Sequence, residues 1–124
     1  MVIGLGVDLV EVERVERALG RWGERLVARL MGDKEARTLP PEHGPRAQAL
    51  ALAIAGKEAG SKAIGTGWTR GVRWRDVVVD RERPSVRLLG RASEVARSLG
   101  SPGRTQARLE IRGALAVGEV RLLS

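Results

Sequence analysis

Glu58 and Lys62 stand four residues apart in Gly56-Lys57-Glu58-Ala59-Gly60-Ser61-Lys62-Ala63-Ile64-Gly65-Thr66-Gly67. That spacing puts them on one face of a helix. By spacing alone they are an ordinary surface ion pair, worth roughly 0.2–0.5 kcal/mol. Their surroundings point further. Ala55, Gly56, Ala59 and Gly60 leave room beside the pair, and Gly65-Thr66-Gly67 ends the helix in a turn whose amides could meet phosphate oxygens. Only Lys34, Lys57 and Lys62 among the 22 basic residues are lysine, so two lysines here go against the arginine usage of the chain. An ammonium is a compact point charge and a guanidinium a planar fork. A site that sets a point charge on a phosphate does not readily accept arginine.

Asp8 is the other carboxylate of interest. Residues 2–10 alternate, with Ile3, Leu5, Val7 and Leu9 on one face and Gly4, Gly6 and Asp8 on the other, which is a strand pattern. The aliphatic face wants a core. The bare glycine face marks close approach by a ligand or another backbone. Alone, Asp8 reads as a strand-end carboxylate that caps the next helix. Paired with Glu58, it gives two hard oxygen ligands for magnesium, which takes one or two carboxylates plus phosphate oxygens and waters. Two carboxylates, a lysine and a glycine turn are a kit for phosphoryl transfer.

The elements that must position these residues follow from periodicity. Residues 11–30 read as helix, with Val12, Val15 and Leu19 in one stripe, a break between Gly20 and Gly23, and Leu26, Val27 and Leu30 in a second. A helical turn follows at 33–37 and a proline-rich loop at 38–45. Residues 46–64 form a long alanine-rich helix stopped by Gly65. The period then changes. Residues 72–80 read as a strand, with a turn at 81–84 and a strand at 85–89. A helix at 92–99 and a hairpin of 105–111 with 115–123 complete an α+β order of β-α-α-β-β-α-β-β.

The chain has 124 residues, which suits one small domain over 1–124, with oligomerisation as a means to bury more surface. Its charge of +7 favours anionic partners. Three tryptophans are the whole aromatic content, which argues against a platform that stacks single-stranded nucleic acid. With no cysteine there is no disulfide framework and no thiol nucleophile. The apolar N-terminus is broken by Asp8 and lacks a basic flank, so it reads as neither signal peptide nor membrane span, and a cytoplasmic protein is expected. Arg14, Arg17, Arg21 and Arg25 recur at helical spacing, mixed with Glu11, Glu13 and Glu16 and mostly basic from Arg17 on. Such a stripe is usually a solvated face, and it would also dock on an acidic helix. His43, in the proline-rich loop, reads as a loop residue.

Gly4-Leu5-Gly6-Val7-Asp8-Leu9-Val10-Glu11-Val12 resembles the opening motif of the holo-acyl-carrier-protein synthases, the small 4'-phosphopantetheinyl transferases. Lys57-Glu58-Ala59-Gly60-Ser61-Lys62-Ala63-Ile64-Gly65-Thr66-Gly67 resembles their second motif, which is the more specific of the two. The resemblance implies a homotrimer with active sites between neighbours, coenzyme A as donor and an acyl carrier protein as acceptor. The carrier serine would attack the β-phosphate, and 3',5'-ADP would leave. On this resemblance Asp8 and Glu58 match the magnesium ligands, and Lys62 the lysine that neutralises phosphate charge. Ser61, Lys62, Gly65, Thr66 and Gly67 match the coenzyme-binding wall. Arg14 matches a carrier-docking position that Arg21 and Arg25 extend. Glu58, acting directly or through a water, is the candidate base.

The chain departs from that pattern in three places. An arginine and a phenylalanine are replaced by Ala53 and Ile54. The turn after the second strand reads Glu82-Arg83-Pro84. The last hairpin lacks the usual histidine, with Glu110 the only acid nearby. These departures motivate a rival reading, a trimer that has left the reaction and binds or acts on a carrier-tethered intermediate. A basic nucleic-acid-binding module is the third reading, resting on charge alone.

Overall fold

The computed structural model describes all of residues 1–124. β1 (Val2–Glu11) runs directly into α1 (Val12–Trp22), followed by α2 (Glu24–Leu30) and the single turn α3 (Asp33–Ala36). The long helix α4 (His43–Ala63) leads through a 3-10 turn at Trp74–Asp76 to β2 (Val77–Asp80) and β3 (Ser85–Leu88). α5 (Gly90–Ser98), β4 (Arg104–Arg112) and β5 (Leu115–Leu123) complete the chain. The α+β class is that expected, and so is the element order once α1 and α2 are taken as the one broken helix and α3 as the helical turn before α4. The strands divide into an antiparallel sheet in the order β1-β5-β4 and a separate β2–β3 hairpin. Thr105 joins the two: its hydroxyl donates to the Val86 carbonyl at 2.6 Å and accepts the Val86 N–H at 3.0 Å.

α4 is enclosed on several sides, which explains its composition. A helix buried all round cannot carry an amphipathic pattern. Ala47, Ala51, Ala55, Ala59 and Ala63 are all buried along it. β1 and β5 lie directly on its backbone. A β-carbon on Gly6 would fall 1.9 Å from the Ala59 carbonyl oxygen, one on Gly4 2.1 Å from that of Ala63, and one on Gly118 2.6 Å from that of Ala55. Gly56 and Gly60 admit the other layer, Val77, Val79 and Val86 of the β2–β3 hairpin. Val15 and Leu19 of α1 add to the same core.

The glycine face of β1 is therefore the inner face, and its close neighbour is another backbone. The aliphatic face expected to seek the core points away from it: Leu5, Val7 and Leu9 are 57%, 48% and 58% exposed. Alternation gives two faces and does not say which is inward when the partner is a helix backbone that tolerates no side chain.

Two boundaries also differ. α4 begins at His43, three residues earlier than expected, because Pro45 is tolerated in a first helical turn where its missing N–H costs nothing. His43 is thus a helix residue and exposed. The strand expected from residue 72 starts only at Val77. Asp76 accepts the Arg73 N–H at 2.9 Å, closing the 3-10 turn and resetting the alternation so that Val77 and Val79 face α4.

Candidate functional site

Asp8 shares the inner face of β1 with Gly4 and Gly6 and sits opposite Gly118 of β5. The close contact of β1 with α4 brings it to the C-terminal turns of that helix. There Lys62 donates to Asp8 Oδ1 at 2.7 Å and to the Val7 carbonyl at 3.3 Å. Glu58 lies one turn earlier on the same helix. Burial pushes its carboxyl above the usual range, and the negative charge of Asp8 adds to the rise. Nearby Trp68 and the positive charge of Lys62 hold the rise back. The Lys62 ammonium is held above its ordinary range, first by its hydrogen bond to Asp8 and then by the charges of Asp8 and Glu58. The structure thus brings Asp8, Glu58 and Lys62 together from segments some fifty residues apart, as the sequence implies.

The donor set suits one hard cation. Burial first, and then the charge of Asp8, makes the Glu58 carboxyl resist ionisation, a strain that a divalent cation would relieve. No group of three or more His, Cys, Asp or Glu surrounds a common point. A hard cation held by the two carboxylates would need its remaining ligands from outside these residues.

The rest of the second motif builds the site more than it lines it. Ser61 is buried, and its hydroxyl donates to the Glu58 carbonyl at 2.7 Å. The Gly65 N–H closes on the Lys62 carbonyl at 2.9 Å, while those of Thr66 and Gly67 bond the Ser61 carbonyl at 3.2 and 3.1 Å. The amides expected to meet phosphate are therefore engaged in ending α4. Gly65 and Gly67, at φ of +80° and +55°, supply the left-handed backbone that this ending needs. A β-carbon at either would meet no neighbour, so the turn borders open space.

Lys57 has a different task from Lys62. It is fully buried and spends its three protons on Glu35 Oε1 at 2.9 Å, the Trp74 carbonyl at 3.1 Å and the Val77 carbonyl at 2.5 Å. Glu35 Oε2 accepts the Val79 N–H at 3.1 Å. Burial lowers the Lys57 ammonium from its ordinary value, opposed by the charge and hydrogen bond of Glu35 and the charge of Asp76. Lysine persists here because a compact three-proton donor ties α3, the 3-10 turn and β2 to α4.

Trp68 is the residue that sequence reasoning missed. Its ring stacks on Trp74 with centroids 4.0 Å apart and planes at 24°. Its buried indole N–H lies near the Glu58 carboxyl without meeting hydrogen-bond geometry, and it alone among buried side-chain polar atoms has no partner. The signal available was one of only three aromatic residues standing directly after the glycine turn.

Arg14, Arg21 and Arg25 are exposed and carry no ion pair, whereas Arg17 pairs with Glu13 at 3.5 Å. Arg21 lies over the exposed Trp22 ring at 5.1 Å. His43, at the other end of α4, is about 28 Å of helix away from Lys62. Of the departing positions, Ala53 is buried in the core and Glu110 pairs with Arg112 at 2.9 Å. A cavity of about 720 Å³ lies between α3 and the β2–β3 hairpin and includes none of Asp8, Glu58 and Lys62.

The sequence profile of the 4'-phosphopantetheinyl transferase superfamily matches residues 4–109. A holo-[acyl-carrier-protein] synthase of Acidithiobacillus ferrooxidans is 43% identical over 122 residues, covering 94% of this chain and 95% of its own. That of Alkalilimnicola ehrlichii is 43% identical over 106 residues, 83% of each chain. Among solved structures, the holo-[acyl-carrier-protein] synthase of Neisseria meningitidis superposes with a TM-score of 0.81 at 25% identity over 100% of both chains. The ACPS–CoA complex of Chronobacterium ammoniagenes does so with a TM-score of 0.73 at 25% identity, over 97% of this chain and 96% of its own.

Proposed function

The chain belongs to the 4'-phosphopantetheinyl transferase superfamily, among the holo-[acyl-carrier-protein] synthases, and we propose that it transfers 4'-phosphopantetheine from coenzyme A to a serine of an acyl carrier protein with magnesium. The observation that carries this reading is the meeting of Asp8, Glu58 and Lys62, with Lys62 on Asp8 at 2.7 Å and the Glu58 carboxyl pushed above its usual range by burial beside them. The carrier serine oxygen bonds the β-phosphorus, the bond from that phosphorus to the bridging oxygen breaks, and 3',5'-ADP departs with that oxygen.

Asp8 and Glu58 would hold the magnesium, which when bound supplies positive charge against the pyrophosphate. Lys62 adds a second positive charge and lies half exposed, free to exchange Asp8 for phosphate oxygens. Glu58, with its raised proton affinity, would accept the serine proton. Ser61, Gly65, Thr66 and Gly67 end the helix and keep space clear for the nucleotide. Arg14, Arg21 and Arg25 form the basic surface for an acidic carrier protein.

The assembly is a homotrimer in this reading. The bare aliphatic face of β1 backs the strand that holds Asp8, and covering Leu5, Val7 and Leu9 would fix the site. A cleft completed by a neighbour also accounts for a site that one chain leaves open. The expected compartment is the cytoplasm, and no helix is long and apolar enough to cross a membrane. The test incubates an apo carrier protein with coenzyme A and magnesium and reads its mass. A phosphopantetheine gain that Glu58→Ala abolishes is expected, while no gain across several carriers would refute the reading. Sedimentation of Val7→Arg tests the trimer: a shift to monomer is expected, and an unchanged assembly would remove β1 from the interface.

A further inference from the structure

The indole N–H of Trp68 is a buried donor with nothing to bond. Everything around it fixes its place. The ring lies on Trp74 at 4.0 Å. Trp74 is held in turn, because the buried Lys57 ammonium donates to its carbonyl at 3.1 Å. On the other side, the Thr66 and Gly67 amides bond the Ser61 carbonyl at 3.2 and 3.1 Å, and the Thr69 hydroxyl donates to the Thr66 carbonyl at 2.6 Å. These bonds fold the segment after α4 back on itself, and Trp68 acts on the Glu58 carboxyl from there, lowering its proton affinity against the effect of burial. A donor held this firmly and left unpaired is unusual, since buried polar groups normally find partners.

We infer that Trp68 is a positioning residue for the transfer reaction, its indole N–H reserved for an oxygen of the Glu58 carboxylate. The inference rests on the role proposed for Glu58. With one oxygen held by the indole, the carboxylate is fixed in rotation, and its other oxygen is set toward Asp8 and whatever cation the pair shares. Outer partners of this kind orient metal-binding carboxylates, and their loss costs on the order of ten- to a hundredfold in affinity or activity. Lys57 then serves the site through two steps of contact: it holds Trp74, and Trp74 holds Trp68.

Trp68→Phe tests this directly, because it keeps an aromatic ring on Trp74 while removing the donor together with the five-membered ring that carries it. In nitrogen-15-labelled protein the three indole N–H signals are assigned by single Trp→Phe variants. The Trp68 signal is expected to move in Glu58→Gln, and also when magnesium and coenzyme A are added together, while that of Trp22 stays in place. By calorimetry, Trp68→Phe should bind magnesium-dependent coenzyme A on the order of tenfold more weakly. It should also lower kcat without raising KM for the carrier. An unchanged Trp22 signal and an unchanged far-ultraviolet circular dichroism spectrum in Trp68→Phe establish that the fold is intact, since the Trp74 signal shifts with the ring stacked on it. A Trp68 signal indifferent to Glu58→Gln, or wild-type binding in Trp68→Phe, overturns the inference. The resonance arm needs no turnover. A responsive Trp68 in a protein inert toward every carrier therefore counts for the Trp68–Glu58 contact and against the transfer reading.

Discussion

Replacing Lys57 with methionine keeps most of the side-chain volume and removes one buried charge. Three acceptors lose their donor at once: Glu35 Oε1 and the Trp74 and Val77 carbonyls. The Glu35 carboxylate, 7% exposed, would keep only the Val79 N–H. Breaking a buried pair from one side costs about 3–5 kcal/mol, because the surviving charge is left uncompensated. Against a stability of about 5–15 kcal/mol for an ordinary domain, that is roughly a fifth or more of the total. At this chain length it corresponds to a fall in Tm of roughly 10–20 °C. Urea denaturation followed by far-ultraviolet circular dichroism, at one fixed protein concentration, reads the loss as a lower midpoint with an unchanged slope. Lys57→Met/Glu35→Gln should recover part of the loss, since the amide oxygen still accepts the Val79 N–H. A Lys57→Met protein within 1 kcal/mol of the wild type would refute the reasoning. So would a double variant less stable than the single one.

Three further outcomes are expected. The Glu58 carboxyl binds its proton more tightly in the folded protein than in the unfolded chain, so its stability contribution is full below the ordinary carboxylate range and lost as pH rises through the raised value; without metal, Glu58→Gln should lack that loss, and parallel Tm–pH curves for the two proteins would contradict it. Gly6→Ala should destabilise by about 1–3 kcal/mol or more, because the new methyl would meet the Ala59 carbonyl, which is backbone and cannot swing aside, with the loss read in the same denaturation assay. Arg14→Glu with Arg21→Glu should raise KM for the carrier several-fold, most at low salt, and leave coenzyme A binding by calorimetry unchanged.

Much of the site was legible because its members obey local rules. Four-residue spacing places Glu58 with Lys62, and strand alternation places Asp8 with the glycines. That these two faces meet is a tertiary fact, yet Gly4 and Gly6 announced it as positions closed to side chains. The reading failed where a residue's partner is distant. Nothing local to Lys57 names Glu35, or the two backbone carbonyls presented by the 3-10 turn. The outward face of Leu5, Val7 and Leu9 was misjudged because apolar alternation marks a face to be covered without saying by what. The amides of Gly65 to Gly67 were assigned to phosphate because a glycine turn looks the same in sequence whether its N–H groups face a ligand or the helix end.

The central claim is that Asp8, Glu58 and Lys62 together move phosphopantetheine onto a carrier. Intact mass spectrometry of an apo acyl carrier protein, incubated with coenzyme A, magnesium and the wild-type or Glu58→Ala protein, tests it most directly. The account predicts a complete phosphopantetheine shift with the wild type, abolished by chelating the magnesium and lost with Glu58→Ala. A carrier mass that never changes, or one that shifts equally with Glu58→Ala, would contradict it.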